Sequence, residues 1–244
     1  MIFIIIIFIL FFIIIFWHFS TIRFLQPWKL YFYFGKKGCG KSTLLTKLAI
    51  NDLKKGKTVY STENISIKIY DKKTNKKITV STIPLEPSLI YSYSYPINSV
   101  IYIDEASLLW SNRDFKKMDK RIVEWFQLQR KYKVTVHLFS VSFDIDKKIR
   151  DLCDEMYICT KLARVFSIAR HVVRKPVIVH PVGDSPSTIT DDIIEDGPLL
   201  YAFGGIKITF IPRWIKYFDS FRSKYSFNSQ EASTVGVDKT SLYQ

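Results

Sequence analysis

A glycine-rich loop constrains this chain more than any other feature of its sequence. The stretch Gly35-Lys36-Lys37-Gly38-Cys39-Gly40-Lys41-Ser42-Thr43 fits the pattern G-x-x-x-x-G-K-[ST] without a mismatch. The apolar run 30–34 before it predicts a buried strand, and residues 42–53 after it carry apolar side chains at helical spacing. In that context the glycines let backbone N–H groups surround an anion, and the helix dipole adds to the attraction. The motif therefore predicts a loop that binds the phosphates of ATP through residues 35–43.

Two acidic residues form the second chemical motif. Asp104 and Glu105 directly follow an apolar run that predicts a buried parallel strand. Because such strands point their carboxyl ends at the ligand crevice of an open α/β sheet, the acidic pair is expected near the loop. Lys41 would reach the β- and γ-phosphates, Ser42 and Asp104 would hold Mg²⁺, and Glu105 would orient and deprotonate the attacking water. Together the two motifs predict an ATP hydrolase of the P-loop type.

The order of elements predicts the fold class. Strands alternate with helices after the phosphate loop, which indicates an α/β P-loop NTPase with a mostly parallel sheet and helices on both faces. We expect this ATPase domain over residues 29–190. A hairpin over 65–80 and the late strands are expected as additions at the edges of the sheet, with Pro176 splitting one late strand into 165–173 and 177–179.

The C-terminal part of the chain is predicted to be less regular. Residues 184–197 are polar and acidic and predict a loop. Residues 191–223 predict an extension that packs on the domain or on a membrane, because 212–221 within it mix aromatic and basic side chains. Residues 224–244 are polar and predict a disordered tail.

The first residues of the chain are almost wholly apolar. Residues 1–19 predict a transmembrane helix, at the short end of the roughly 17–25 residues that span a bilayer, and 20–28 predict a linker. A secretory signal is the alternative, but no basic region precedes the run and no small-x-small cleavage site follows it. Because Arg23 and the lysines at 29, 36 and 37 follow the run, the positive-inside rule predicts a single-pass protein with its ATPase domain in the cytoplasm.

The charge of the chain bears on its partners. The net charge is +14, and such a surface suits nucleic acid, anionic lipid or nucleotide. The basic tip of the predicted hairpin, 71–76, could contact nucleic acid or be a solvated loop. Cys39, Cys153 and Cys159 have the spacing of neither a disulfide framework nor a zinc site, which favours a reducing compartment.

Arg150 is a further candidate for catalysis. It ends the basic first turn of a helix that is predicted to begin after Asp146. As an arginine finger it would complete the site of a neighbouring subunit and stabilise charge on the transferred phosphate. The alternative is an ion pair at the surface or inside its own domain, and the sequence leaves both interpretations open.

The combination of these motifs resembles the zonular occludens toxin-like family, which are assembly ATPases of filamentous phages within the FtsK/HerA group of P-loop motors. The resemblance covers roughly Lys29 to Phe221. Besides the phosphate loop, it rests on Ile103-Asp104-Glu105-Ala106, Trp110-Ser111-Asn112-Arg113, Arg130-Lys131-Tyr132 and the segment Ser142-Phe143-Asp144-Ile145-Asp146-Lys147-Lys148-Ile149-Arg150. It implies a homo-oligomer, as a ring, in the inner membrane of a host cell. It also implies a role in extruding single-stranded phage DNA through that membrane, with phage coat or pore proteins as partners.

Two departures from the family pattern leave a second function open. Related motors often carry a glutamine that senses the γ-phosphate where this chain has Val141, between Ser140 and Ser142. Family members also commonly carry their membrane helix after the ATPase domain rather than before it. The alternative is a nucleotide-gated membrane scaffold, which would bind ATP and recruit partners without processive hydrolysis.

Overall fold

The computed structural model describes residues 2–22, 27–71, 76–111, 119–179, 188–195 and 205–217. The predicted tail 224–244 lies outside these residues, as do 196–204 and 218–223 of the predicted extension, 72–75 of the hairpin tip, and Asn112 and Arg113 of the resemblance. The predicted boundaries at 20–28 and 29–190 remain predictions.

The helices and strands alternate through most of the chain. The helices are α1 (Ile2–Ile22), α2 (Lys41–Lys54), α3 (Ala106–Leu109), α4 (Lys120–Leu128), α5 (Lys147–Asp151) and α6 (Ile211–Trp214), with 3₁₀ turns at Pro87–Ser92 and Ile215–Tyr217. The strands are β1 (Leu30–Phe34), β2 (Val59–Ser61), β3 (Ser66–Asp71), β4 (Lys76–Ser81), β5 (Ile83–Pro84), β6 (Val100–Ile103), β7 (Thr135–Ser140), β8 (Glu155–Leu162), β9 (Phe166–Val179), β10 (Thr188–Glu195) and β11 (Ile206–Phe210).

A mostly parallel sheet forms the centre of the domain, as predicted. Its strands run in the order β10-β9-β8-β1-β7-β6-β2-β5, and β11 also pairs with β9. The strands from β8 to β5 in this order are parallel to their neighbours, whereas β9, β10 and β11 join by antiparallel pairing. In the register of β1 with β7, Phe34 lies opposite Ser140, so the carboxyl ends of these strands share one edge. The phosphate loop and the acidic pair begin at that edge.

Both faces of the sheet are covered, because the side chains of its central strands are apolar on each side. From β1, Phe32 and Phe34 contribute to one core cluster, which also contains Trp125 of α4 and Ile149 of α5. Tyr33 contributes to the other cluster, with leucines of α2 and with Trp214 of α6. The predicted helices on both faces are therefore confirmed.

Two predictions about the late strands are wrong. Residues 166–179 form one strand through Pro176, and residues 188–195 form a strand rather than an acidic loop. The last residue of β9 paired with β8 is Val172, so the part of β9 that contains Pro176 pairs with β10 alone. A proline is tolerated in a strand where one side makes no ladder hydrogen bonds.

The first helix, α1, covers Ile2–Ile22. Within the residues that the structure describes, no helix is both long enough and apolar enough to cross a membrane. The transmembrane helix predicted over residues 1–19 is therefore not confirmed.

Candidate nucleotide-binding site

The phosphate loop joins the carboxyl end of β1 to the start of α2, and two of its glycines lie against neighbouring strands. A Cβ atom added at Gly35 would lie 2.3 Å from the carbonyl oxygen of Cys159 in β8. One added at Gly40, whose φ is +91°, would lie 2.6 Å from the Cβ of Ser167 in β9. Gly38 has a φ of +75° but open space around it. The close approach therefore requires glycine at positions 35 and 40 and holds the loop backbone against the sheet.

The Lys41 side chain turns back into the loop that precedes it. Its Nζ donates hydrogen bonds to the carbonyl oxygens of Gly35, at 2.7 Å, and of Lys36, at 3.0 Å. Lys41 is only 8% exposed, whereas Lys36 and Lys37 are exposed. Lys41 is thus the loop lysine enclosed by backbone, at the position from which a P-loop lysine reaches the β- and γ-phosphates.

Cys39 and Thr43, which were also predicted to contact nucleotide, make contacts within the protein. Thr43 Oγ1 donates to the carbonyl oxygen of Gly40 at 2.7 Å and so supports the start of α2. Cys39 is buried, with its Sγ 3.8 Å from Lys41 Nζ. A hydrogen bond with the Cys159 thiol and the charge of Lys41 lower the pKa of Cys39 to about 6, despite its burial. The Cys159 thiol and the Lys41 charge therefore both favour the ionised form of Cys39, which burial opposes.

Ser42 and Asp104, the two predicted Mg²⁺ ligands, are in direct contact. Ser42 Oγ donates a hydrogen bond to Asp104 Oδ2 at 3.0 Å, and Asp104 is 6% exposed. The other carboxylate oxygen, Oδ1, accepts from the backbone N–H of Glu105 at 2.9 Å. A hydroxyl and a carboxylate are the hard oxygen ligands that Mg²⁺ takes together with phosphates and water. The pair therefore fits the predicted ion, because Oδ2 and Ser42 Oγ lie only 3.0 Å apart.

Glu105 occupies a left-handed backbone conformation, with φ 55° and ψ 39°. This conformation is costly for a residue with a Cβ atom and is often found at functional positions. The Asp104 side chain supports it through the hydrogen bond to the Glu105 N–H, and the Glu105 carbonyl accepts from Leu108 N–H at 2.9 Å. The conformation places Glu105 directly before α3, at the same edge of the sheet as the loop. Its role with the attacking water remains a prediction.

Arg150 contacts its own chain through Phe143. Its Nη1 donates to the Phe143 carbonyl oxygen at 3.1 Å, and its Cζ lies 4.4 Å from the centre of the Phe143 ring. That ring packs 5.0 Å from the ring of Phe34, the residue before the phosphate loop. Among the residues that the structure describes, no acceptor makes a hydrogen bond with the buried Arg150 Nε. The guanidinium thus lies close to the loop of its own subunit, and its predicted role as a finger towards a neighbouring subunit remains untested.

The predicted sensor position lies at the end of β7. The strand ends at Ser140, which is fully buried, and Val141 follows it. Ser140 Oγ accepts from the N–H of Ser142 at 3.3 Å. The last side chain of β7 is therefore a hydroxyl, and it already accepts a hydrogen bond from the backbone of the turn that follows.

Sequence reasoning missed Thr62. Its Oγ1 accepts a hydrogen bond from the backbone N–H of Asp104 at 3.0 Å and so helps to fix the backbone that carries this candidate Mg²⁺ ligand. Thr62 directly follows β2, which lies beside β6 in the sheet. A hydroxyl one residue past the end of β2 was a usable signal, but only once the pairing of these two strands was known.

Comparison with known proteins agrees with the resemblance. The model of a family described as zonular occludens toxin (Zot) matches residues 29–191. No curated protein matches the chain at a significant level.

Similar solved structures include three with low sequence identity. The N-terminal domain of zonular occludens toxin from Neisseria meningitidis is 16% identical, with a TM-score of 0.48, covering 79% of this chain and 99% of that one. The genome packaging NTPase B204 from Sulfolobus turreted icosahedral virus 2, in complex with ATP-gammaS, is 13% identical, with a TM-score of 0.40, covering 55% and 75%. The flagellar accessory protein FlaH from Methanocaldococcus jannaschii is 15% identical, with a TM-score of 0.39, covering 59% and 77%.

Proposed function

This chain belongs to the zonular occludens toxin (Zot) family, and we propose that it is an ATP-hydrolysing motor of filamentous phage assembly. One observation carries the proposal: Ser42 of the phosphate loop and Asp104 of the second motif are joined by a 3.0 Å hydrogen bond. A complete phosphate loop, its enclosed lysine and a ready pair of Mg²⁺ ligands thus meet at one edge of the sheet. This set of groups matches the known requirements of phosphoryl transfer.

The chemistry that we propose is hydrolysis of the bond between the β- and γ-phosphates of ATP. Water would attack the γ-phosphorus as the bond to the bridging oxygen breaks, which leaves ADP and inorganic phosphate. The loop N–H groups and Lys41 would hold the phosphates, and Glu105 would orient the water and accept its proton. Ser42 and Asp104 would hold Mg²⁺, which would neutralise negative charge on the β- and γ-phosphates.

We also propose that the motor is anchored in the inner membrane of the host through α1. The described side chains of α1, from Ile6 to Phe16, are all Ile, Leu or Phe, and nearly all are exposed. Burial of such a surface in lipid would be strongly favourable. The positive charges after α1 favour an ATPase domain in the cytoplasm. A ring of subunits there would extrude single-stranded phage DNA and cooperate with coat or pore proteins.

A nucleotide-gated scaffold remains a second candidate, because the sensor position lacks a side-chain amide. Ser140 ends β7 and its hydroxyl already accepts a hydrogen bond from Ser142. Without a group that reports the γ-phosphate, ATP could hold an assembly state without repeated turnover. The two candidates differ in whether DNA accelerates hydrolysis.

The discriminating experiment is ATP turnover by the full chain in detergent, with and without single-stranded DNA. The motor predicts turnover that rises with DNA and that falls by at least about a hundredfold in Lys41→Ala and Glu105→Gln. Nucleotide binding that requires Lys41, with no turnover in any condition, would support the scaffold and end the motor proposal. Reconstitution into vesicles, followed by extraction at alkaline pH, tests the anchor, because a peripheral protein would be released.

A further inference from the structure

The hairpin of β3 and β4 is inserted between two strands at the edge of the sheet. It leaves the sheet after β2 and returns at β5, and β2 pairs with β5 on one side and with β6 on the other. The hairpin itself forms a separate antiparallel pair. It is therefore an addition between β2 and β5, and β2 lies beside β6, the strand that Asp104 directly follows.

The base of the hairpin is closed by a buried threonine. Thr82 is 4% exposed, and its N–H donates to the carbonyl oxygen of Ile65 at 2.9 Å. Its Oγ1 accepts from the Ile65 N–H at 3.0 Å and donates to the Glu63 carbonyl oxygen at 2.9 Å. These three hydrogen bonds fix the first and last residues of the hairpin to each other.

The base of the hairpin is also connected to the candidate Mg²⁺ site through Thr62. Glu63, whose carbonyl is bonded to Thr82, directly follows Thr62, whose hydroxyl accepts from the Asp104 N–H at 3.0 Å. A displacement of the hairpin would therefore pull on the segment that positions the Asp104 carboxylate. The connection consists of hydrogen bonds and two consecutive residues, without a flexible loop between them.

The two faces of the hairpin have opposite character. Ile65 and Ile67 are buried in the core cluster that contains α2, and Ile69 and Val80 pack against the same cluster. On the other face, Lys68, Tyr70, Lys77 and Thr79 are exposed, with Tyr70 at 56%. The register places Tyr70 opposite Lys77 and Lys68 opposite Thr79. The inner face thus fixes the hairpin on α2, while the outer face presents an aromatic side chain next to two lysines, Lys68 on its own strand and Lys77 on the neighbouring strand.

We propose that this outer face of the hairpin, Lys68, Tyr70, Lys77 and Thr79, is a contact surface for single-stranded DNA; the inference rests on the proposed function. Two lysines, Lys68 and Lys77, lie on this face and no acidic residue is among its four members, so the surface attracts a phosphate backbone. Lys68 lies two residues before Tyr70 on β3 and Lys77 lies opposite Tyr70 on β4, so a phosphate on each side of a base could meet one lysine. The ring between them can stack on an unpaired base, which duplex DNA does not offer.

The position of the surface also gives it a role in the motor. A strand of DNA that bears on the hairpin acts on Thr82 and Thr62, and through them on Asp104. DNA binding and the geometry of the Mg²⁺ ligands are thereby coupled within one subunit. The expected consequence is that DNA stimulates turnover through the hairpin, whereas basal turnover does not need it.

The test uses the full chain in detergent and a fluorescent 20-nucleotide oligo(dT), with a duplex of equal length as the comparison. The variant Lys68→Ala/Lys77→Ala should lower the affinity for oligo(dT) at least about tenfold and reduce the salt slope of log K by about 1.4. Tyr70→Ala should lower the affinity about fivefold or more, and Tyr70→Phe should keep it within about twofold, because phenylalanine still stacks.

The matched control is Lys131→Ala/Lys161→Ala, which removes the same charge from two exposed lysines elsewhere on the domain. If the variant Lys68→Ala/Lys77→Ala binds oligo(dT) as tightly as this control variant does, the inference is overturned. If the wild-type chain binds the duplex as tightly as oligo(dT), and Tyr70→Ala changes neither affinity, the assignment to single-stranded DNA is overturned. Basal ATP turnover is measured beside binding, so a wild-type chain that binds DNA but does not turn over ATP refutes the proposed motor and leaves the DNA surface standing.

Discussion

Replacement of Gly40 by alanine tests the packing of the phosphate loop against the sheet. The new Cβ would lie 2.6 Å from Ser167 Cβ and 3.1 Å from Thr43 Oγ1, and the φ of +91° would be retained by a residue that rarely adopts it. The positive φ costs alanine about 1–2 kcal/mol. The steric overlap of its Cβ with Ser167 costs about 1–3 kcal/mol more, because Ser167 is fully buried. Gly40→Ala should therefore lower the free energy of unfolding by about 2–5 kcal/mol.

Gly56→Ala supplies the matched control, because Gly56 has a φ of +73° but no atom within 4 Å of an added Cβ. Gly56→Ala adds the cost of a positive φ without any steric overlap. Because Gly56 lies beyond the end of α2, away from the phosphate loop, nucleotide affinity should be unchanged. Urea unfolding of the full chain in detergent gives the free energies, and binding of a fluorescent ATP analogue gives the affinities. Gly40→Ala/Ser167→Gly should recover about 1 kcal/mol or more of the loss. The reasoning fails if Gly40→Ala is no more destabilising than Gly56→Ala, or if Ser167→Gly gives no recovery.

Three further predictions concern the site and its surroundings. Asp104→Asn should reduce Mg²⁺-dependent ATP affinity about tenfold or more while leaving binding in EDTA unchanged, as nucleotide titrations can determine. Thr62→Val removes the acceptor for the Asp104 N–H; it should lower unfolding stability by about 1–3 kcal/mol and abolish DNA stimulation of turnover while DNA binding remains. Burial, mainly, lowers the pKa of Lys207 from 10.5 to about 7. Between these pH values the unfolded chain therefore holds a proton that the folded chain has lost. The unfolding free energy should rise with pH there, by at most about 1.4 kcal/mol per pH unit, and Lys207→Met should remove that rise in urea titrations.

The central part of the fold could be predicted because local and long-range signals agree there. The phosphate loop fixes a strand before it and a helix after it, and a parallel sheet brings the ends of β1, β6 and β7 to one edge. The contact between Ser42 and Asp104, which are 62 positions apart, follows from that arrangement. Their roles, and those of Lys41 and Glu105, remain predictions that the geometry accommodates.

The late strands could not be predicted in the same way, because their pairing partners decide their structure. Asp191 and Asp192 suggested a loop, yet they lie in β10, opposite Pro176 and Lys175 of β9. At the edge of a sheet, acidic residues and a proline are compatible with a strand that pairs on one side. Nothing in the local sequence indicates which strand lies at the edge of the sheet.

Arg150 shows another limit of sequence reasoning. The sequence left a finger and an ion pair open, and within one subunit the structure places the guanidinium on the ring and carbonyl of Phe143, a contact that neither interpretation included. A cation–π contact with a residue seven positions earlier depends on how the turn after β7 folds. Residue types alone do not encode that turn, although Ser142 and Asp144 indicate that a turn is present.

The most direct test of the account separates nucleotide binding from hydrolysis in the same preparation. Full-length wild-type protein, Lys41→Ala and Glu105→Gln would be compared for equilibrium binding of Mg²⁺·ATP and for release of phosphate. The account predicts that Glu105→Gln binds ATP with near wild-type affinity but releases phosphate at least about a hundredfold more slowly, and that Lys41→Ala loses binding. Wild-type release rates from Glu105→Gln, or unchanged binding by Lys41→Ala, would contradict the assignment of this site.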